Sequence, residues 1–174
     1  LTGSKKNIEK FLKLDNFEFH SHDIQNHFEI DEKVDFVIHL ASCASPLAYT
    51  KFPINTLKSG SIGTINALGI ARKFDSKFLL SSTSEIYGDP MVSPQSEDYW
   101  GNVNPTGPRS MYDESKRYSE AISTAYNLKY GIDVKIARML QKLIGTELRH
   151  ELEGFAIDIM GELGTLYENS PNLR

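Results

Sequence analysis

The sequence predicts an α/β fold with a parallel sheet, followed by a helical C-terminal tail. Short apolar runs that end in small or hydroxyl-bearing residues alternate along the chain with longer segments of helical periodicity. Such runs are typical of strands buried in a parallel sheet, and their alternation with helices indicates βαβ units. Residues 1–138 are therefore expected to form one α/β domain, and residues 139–174 a tail of different character.

Four segments are predicted to be strands. Residues 16–24 alternate between apolar and polar side chains, as a short strand does. Three further segments are short apolar runs of the kind found in buried strands: residues 33–42, 76–83 and 132–138.

Two segments between these strands are predicted to be helices. Residues 54–74 have helical periodicity although the segment contains three glycines. In residues 110–130 the apolar positions keep helical spacing, and Gly131 provides a stop signal. Residues 85–108 are rich in Pro, Gly and Asn, which indicates a loop.

The tail has an amphipathic pattern of its own. Its apolar residues recur every three or four positions, at Leu140, Leu143, Ile144, Leu148, Leu152, Phe155, Ile159 and Leu163. This spacing predicts one helix, or two helices broken near Gly154. Packing against its own domain is the simpler interpretation, and an oligomer contact is the alternative.

Composition narrows the function classes. The 174 residues carry a net charge of −4, so the chain lacks the basic footprint of a nucleic-acid-binding protein. No apolar run approaches the roughly 20 residues of a membrane span. The single cysteine, Cys43, excludes an internal disulfide and fits a reducing compartment, so we expect a cytoplasmic protein. We expect no metal site.

A tyrosine and a lysine at helical spacing are the first candidate catalytic residues. Tyr112 and Lys116 stand four apart at the start of the predicted helix 110–130, so they share a face. A positive charge beside a phenol lowers its pKa, and such a phenol can take a proton from a sugar hydroxyl. The pair alone is weak evidence, because this spacing usually marks an ordinary helix surface.

The preceding segment strengthens the candidate. Residues 78–90, FLLSSTSEIYGDP, form an apolar run that ends in hydroxyls and a carboxylate, including Thr83 and Glu85. Ligands of open α/β sheets bind at the carboxyl ends of strands. The alternative interpretation is a strand end that is merely capped by polar residues.

With these segments the chain resembles the extended short-chain dehydrogenase/reductases, and within them the UDP-glucuronate decarboxylases (UDP-xylose synthases). The resemblance covers about residues 1–138, and its segments are TGSKKN, HLASCASP, PINTLKSGSIGT, LLSSTSEIYGDP, YWGNVNP, GPRSMYDESKR and KIAR. The combination of STSEIYGDP, YWGNVNP and YDESKR is far more specific than the Tyr/Lys pair, which epimerases and dehydratases share.

The resemblance implies a fold and a reaction. The fold is a partial, NAD-binding, Rossmann-type doubly wound parallel sheet. The reaction is decarboxylation of UDP-glucuronate to UDP-xylose through a 4-keto intermediate, with tightly held NAD. Tyr112 would be the base at the C4 hydroxyl, Lys116 would tune Tyr112 and hold the nicotinamide ribose, Thr83 would bond the C4 oxygen, and Glu85 would assist at the sugar ring.

The resemblance also implies binding residues. For NAD they are Thr2, Gly3, Asp23, Ile24, Leu40, Ser42, Ser59 and Ser81, together with Tyr112 and Lys116. For the sugar nucleotide they are Lys58, Asn66, Gly69, Arg72, Lys73 and Tyr126, although Arg72 and Lys73 also fit the pattern of solvated helix charge. Cys43 stands where the family usually has proline, and packing is its expected role. The full-length family is expected to form homodimers.

Two departures from the family affect these expectations. The family's first strand, glycine-rich loop and pyrophosphate-binding helix are not found, so the sheet is expected to lack its first βαβ unit. After Arg138 the sequence diverges from the family pattern. A truncated copy, a decayed non-catalytic copy and one piece of a split enzyme all stay open, and we expect the chain alone to be inactive. The other functional alternatives are a nucleotide-sugar 4,6-dehydratase or epimerase, and a non-catalytic interaction module.

Overall fold

The structure is a computed structural model that describes residues 3–139. The three strands of its sheet are β1 (Phe36–His39), β2 (Lys77–Thr83) and β3 (Val134–Met139). All neighbours pair in parallel, in the order β1-β2-β3. The strand predictions for residues 33–42, 76–83 and 132–138 are thereby confirmed, and the carboxyl ends of the strands meet at one edge of the sheet.

The prediction of a strand at residues 16–24 is wrong. This segment contains only turns and irregular backbone, and most of its side chains are exposed. Alternation alone does not form a strand, because the backbone N–H and C=O groups also need a neighbouring strand to bond. Among the described residues the chain enters the sheet only at Phe36.

Four helices are described: α1 (Pro46–Lys51), α2 (Pro53–Lys58), α3 (Thr64–Phe74) and α4 (Ser110–Tyr130). A π-helical turn, Ser59–Gly63, joins α2 to α3, so the predicted helix at residues 54–74 is confirmed with one widened turn. The long helix predicted at residues 110–130 is also confirmed, and Gly131 ends it in the left-handed conformation with φ of 73°.

The core lies between the sheet and the helices α3 and α4. Its buried residues are Ala67, Leu68, Ala71, Phe78, Leu80 and Ile132. Fully burying a Leu, Ile or Phe side chain, as at Leu68, Phe78, Leu80 and Ile132, stabilises a fold by about 1.5–3 kcal/mol each. In contrast, Phe36 and Ile38 on β1 stay 38% and 44% exposed, so the other face of this strand has no cover among the described residues.

The widened turn brings the backbone of the α2–α3 segment against α4. A Cβ atom added to Gly60 would lie 2.6 Å from the Cβ atom of Ser115, so only glycine fits at this crossing. The hydroxyl of Ser119 donates to the Gly60 carbonyl at 2.7 Å. This close contact fixes the N-terminal half of α4 relative to the α2–α3 segment.

No helix within residues 3–139 is long and apolar enough to cross a membrane. The predicted amphipathic helix or helices of the tail lie outside the described residues, so that expectation and the proposed domain boundary stay predictions.

Candidate active site and cofactor pocket

Thr83 and Tyr112 meet at the carboxyl end of β2. Thr83 is the last residue of the strand, and its hydroxyl and the phenol of Tyr112 form a hydrogen bond. The Tyr112 ring is buried and stacks on Tyr49 of α1, with the ring centroids 5.2 Å apart. Burial and stacking hold the phenol in one orientation, with its hydroxyl at the strand end.

Lys116 lies one helical turn after Tyr112 and is also buried. Its Nζ donates to the backbone carbonyl of Ser81 at 2.6 Å. Burial lowers the pKa of Lys116 to about 8, against the opposing charge of Glu120. The lysine therefore connects α4 to β2 beneath the Tyr112–Thr83 pair.

The expectation that Lys116 lowers the pKa of Tyr112 is wrong for this structure. Burial raises the pKa of the phenol, and the nearby charges of Glu85 and Asp113 raise it further, while the bond with Thr83 lowers it. The ammonium group of Lys116 is directed toward Ser81 instead, so desolvation decides the direction.

Glu85 follows Thr83 in a short 3-10 turn and forms an ion pair with Arg109, which immediately precedes α4. Asp113, on the first turn of α4, is buried nearby. Burial raises the pKa of Asp113 to about 6, whereas Arg109 lowers it and Glu85 and Glu114 raise it. Two carboxyl groups thus share the neighbourhood of one guanidinium.

Sequence reasoning missed Tyr49, Arg109 and Asp113. Tyr49 comes from α1 and reaches the site only through the fold. Arg109 and Asp113 both lie within the motif GPRSMYDESKR, at i and i+4. That spacing of opposite charges was a usable signal, because residues four apart face each other on a helix.

Six of the ten candidate NAD residues line one pocket of about 380 Å³ beside the end of β1, whereas Tyr112 and Lys116 lie outside its lining, near the carboxyl end of β2. Of the predicted set, Gly3, Asp23, Ile24, Leu40, Ser42 and Ser59 line it, together with His22 and Gln25, which the sequence did not single out. Thr2 lies outside the described residues. Ser81 is instead at the Lys116 contact.

The polar lining of this pocket fits a dinucleotide. The Ser42 hydroxyl is buried and has no hydrogen-bond partner among the described residues, as expected of a group that bonds a ligand. Ser42 and Leu40 follow β1, so the pocket lies at the carboxyl end of the sheet, where such ligands bind.

The candidate sugar-nucleotide residues are arranged differently. Asn66, Gly69, Lys73 and Tyr126 line a second pocket of about 370 Å³, together with residues 27–30. The Asn66 amide donates to the carbonyls of Ile24 and Asn26, and Lys73 Nζ donates to that of Ile30. Arg72 stacks its guanidinium 3.9 Å above the Tyr130 ring, and Lys58 is exposed on α2. These contacts attach the N-terminal segment to α3, and a substrate role for the six residues stays a prediction.

A network of buried polar side chains joins β1, α3 and α4 next to this site. His39 Nε2 lies 3.1 Å from the Thr64 hydroxyl, which in turn lies 3.1 Å from that of Ser119. Burial and the neighbouring Lys116 lower the pKa of His39 to about 4, so the imidazole is neutral at physiological pH.

Cys43 is buried against Tyr49 and Tyr112, in agreement with a packing role. No cluster of residues suited to holding a metal ion occurs within residues 3–139.

A parallel sheet with a Tyr/Lys pair on the following helix, a hydroxyl at the strand end and an adjoining dinucleotide-type pocket defines a site of the short-chain dehydrogenase/reductase class. The sequence profile of the GDP-mannose 4,6 dehydratase family matches residues 2–145. The chain therefore belongs to this family of extended short-chain dehydrogenase/reductases. The match continues past Arg138, where the sequence analysis had placed the end of the resemblance.

Within this family, the chain is similar to curated UDP-glucuronic acid decarboxylases. The chain is 43% identical to UDP-glucuronic acid decarboxylase 1 of Danio rerio over 92% of its own length and 40% of the relative's. It is 50% identical to UDP-glucuronic acid decarboxylase 1 of Xenopus tropicalis over 79% of its own length and 32% of the relative's. The chain thus spans less than half of the length of these relatives.

A solved structure supports the fold. The chain is similar to a UDP-galactose 4-epimerase with a TM-score of 0.58 and 25% identity, over 68% of this chain and 39% of that protein. The predicted partial α/β fold is therefore confirmed.

Proposed function

We propose that this chain carries the proton-transfer centre of a UDP-glucuronate decarboxylase, which converts UDP-glucuronate and a proton to UDP-xylose and CO2. The observation that carries the proposal is the hydrogen-bonded Tyr112–Thr83 pair at the end of β2, with Glu85 in the next turn and Lys116 beneath. The similarity to decarboxylases of fish and frog supports this substrate.

Tyr112 accepts the proton of the C4 hydroxyl in its phenolate form, so the phenol has to release its own proton to solvent before C4 is oxidised to a ketone. Thr83 holds the C4 oxygen through a hydrogen bond. The residues that line the pocket beside β1 would hold NAD, which would supply the hydride acceptor for this step and the hydride donor for the later reduction of C4. The C6 carboxylate is then β to a ketone, so the C5–C6 bond breaks and its electron pair moves into the C4 carbonyl as an enolate. A proton at C5 completes the loss of CO2, and Tyr112 returns its proton when C4 is reduced.

NAD is the proposed cofactor because the pocket beside β1 combines a dinucleotide-type position with an unpaired Ser42 hydroxyl. The residues around Asp23 in this pocket would hold the adenosine end of NAD. Lys116 would hold the nicotinamide ribose. A cytoplasmic location is proposed from the free, buried Cys43 thiol, which fits a reducing compartment.

A homodimer is proposed from exposed apolar side chains on the helices of the described domain. Ile54, Leu57, Ile62 and, on α4, Tyr118 are exposed large apolar residues. The five-residue step from Leu57 to Ile62 spans the π-helical turn. Apolar patches of this kind are typical of protein interfaces. Sedimentation should show a dimer that Ile62→Glu dissociates, whereas the charge change Thr124→Glu on α4 should not.

The test of the function uses a chimera in which this chain replaces the matching segment of the frog decarboxylase. Given NAD and UDP-glucuronate, the chimera should release CO2 and form UDP-xylose. A product from UDP-glucose instead, with none from UDP-glucuronate, would favour a dehydratase or epimerase. Absence of turnover on both sugars would contradict an enzymatic role and favour the interaction module.

A further inference from the structure

Arg109 has an unusual position for an arginine beside a catalytic tyrosine. It pairs with Glu85, bonds the hydroxyl of Tyr49, and lies within electrostatic reach of Asp113. Its side chain is nevertheless 47% exposed, at the mouth of a pocket of about 430 Å³ that Glu85 and Asp113 also line. A guanidinium has five N–H donors, so these contacts leave donors for an incoming oxygen ligand.

Asp113 is an incompletely satisfied partner of the same guanidinium. The residue is 8% exposed, and its Oδ1 is buried with no hydrogen-bond partner among the described residues. Buried polar atoms in folded proteins ordinarily have a hydrogen-bond partner, so the arrangement calls for an explanation. Arg109 therefore has two carboxyl groups near it and bonds only that of Glu85.

Arg109 is the group in the lining of this pocket that can pair with an anionic ligand. Besides Asp113, the charged groups that line the pocket or act on this cluster are the carboxyl groups of Glu85, Asp89 and Glu114. Arg109 is the cation among them, and planar carboxylates match the geometry of its fork. A sugar that carries a carboxylate can compete with Glu85 for this guanidinium, and a neutral sugar cannot.

We propose that Arg109 recognises the carboxylate of a uronic-acid nucleotide by exchanging partners, so that Glu85 is released toward the sugar while Asp113 keeps the guanidinium in place. The inference rests on the proposed function, which supplies the uronic acid. It makes Arg109 a specificity-determining residue and Asp113 a positioning residue. It also gives a reason for the ion pair between Arg109 and Glu85, which follows the strand-end hydroxyls.

The test is NMR of the isotope-labelled 174-residue chain, titrated at pH 7 with UDP-glucuronate and, separately, with UDP-glucose. The two ligands differ only in a carboxylate against a hydroxymethyl group at C6. We expect UDP-glucuronate to bind about tenfold more tightly, as one charge-assisted bond allows. The Arg109 Nε–Hε and Glu85 carboxyl signals should shift with UDP-glucuronate alone.

Variants decide which residue causes the preference. Arg109→Gln should abolish it, Arg109→Lys should keep part of it through charge without the fork, and Asp113→Asn should weaken it. Arg117→Gln, which removes a guanidinium from the adjoining helix α4, is the matched control and should retain the full preference. If Arg109→Gln does not fold, the wild-type Arg109 and Glu85 signals and the lysine variant still decide.

A preference that persists in Arg109→Gln, or a Glu85 signal that does not respond to UDP-glucuronate, would overturn this inference. If the wild-type chain shows no preference but the chimera decarboxylates UDP-glucuronate, the inference fails and the proposed function stands. If the wild-type chain shows no preference and the chimera does not decarboxylate UDP-glucuronate, the inference and the proposed function both fail.

Discussion

Burial sets the direction in which the pKa values of the side chains at the carboxyl end of β2 are shifted. Burial raises the pKa of Tyr112 and lowers that of Lys116 to about 8, so each group favours its neutral form more than it would in water. The same effect acts on His39 beneath them. These directions keep the Tyr112 phenol protonated in the described domain, whereas they bring the ionisation of Lys116 closer to neutral pH.

His39 should make the stability of the chain depend on pH. Its folded-state pKa is about 4 and its ordinary value is 6.5, so the unfolded chain binds the proton more readily and stability falls as pH falls below 6.5. Linkage gives a loss of about 2 kcal/mol between pH 7 and pH 5 from this residue alone. In urea unfolding, His39→Gln should remove that part of the slope.

The exposed imidazole of His27 provides the control for this measurement. His27→Gln should keep the wild-type pH dependence of the free energy of unfolding. An unchanged slope in His39→Gln would contradict the buried, neutral imidazole.

Glu85 should matter for CO2 release more than for folding. In the chimera, Glu85→Gln should slow decarboxylation by on the order of 100-fold, the scale of a lost acid–base group. The melting temperature should change little, because partly exposed ion pairs contribute about 1 kcal/mol or less. Glu114→Gln, which removes the Arg117 pair, is the control for both measurements. A large stability loss with normal turnover per folded molecule would assign Glu85 to folding.

The sequence predicted site residues that lie within short local motifs. Tyr112, Lys116, Thr83 and Glu85 lie in two short segments, which the parallel sheet brings to one edge. Tyr49 could not be predicted, because its stacking on Tyr112 depends on where α1 packs. The raised pKa of Tyr112 was missed for a related reason, since spacing reports neighbours and not desolvation.

At the scale of elements, the π-helical turn Ser59–Gly63 determines how α2, α3 and α4 pack. It places Gly60 against Ser115, and the hydroxyls of Thr64 and Ser119 both donate to the Gly60 carbonyl. The periodicity of residues 54–74 predicted the helix but not the widened turn. The turn depends on close contact with α4, which is a tertiary effect.

Gly60→Ala should destabilise the chain by about 1–3 kcal/mol, because its Cβ would overlap Ser115. Gly69→Ala is the matched control on the same helical segment, where an added Cβ has no atom within 4 Å. That change should be neutral or stabilise by up to about 1 kcal/mol through helix propensity. Denaturant unfolding measures both, and equal effects at the two positions would contradict the packing of α2–α3 on α4.

At the scale of the whole molecule, the described domain has a well-formed core on one side of its sheet and exposed apolar residues on the other. Parallel sheets are ordinarily covered on both faces, so Phe36 and Ile38 are positions that further protein would cover. The edge of β1 likewise has no paired strand among residues 3–139. Cofactor affinity and turnover are therefore expected to require more protein than this domain, which is why the chimera is the form to assay.

We propose that Tyr112 transfers the proton that couples sugar oxidation to the loss of CO2. The most direct measurement is a single turnover of the NAD-loaded chimera with UDP-glucuronate labelled in its carboxylate, comparing Tyr112→Phe with the control Tyr130→Phe. We expect Tyr112→Phe to slow the release of labelled CO2 by about 10²–10⁴-fold with NAD still bound, and Tyr130→Phe to leave the rate unchanged. Release at the unaltered rate from Tyr112→Phe would contradict the account.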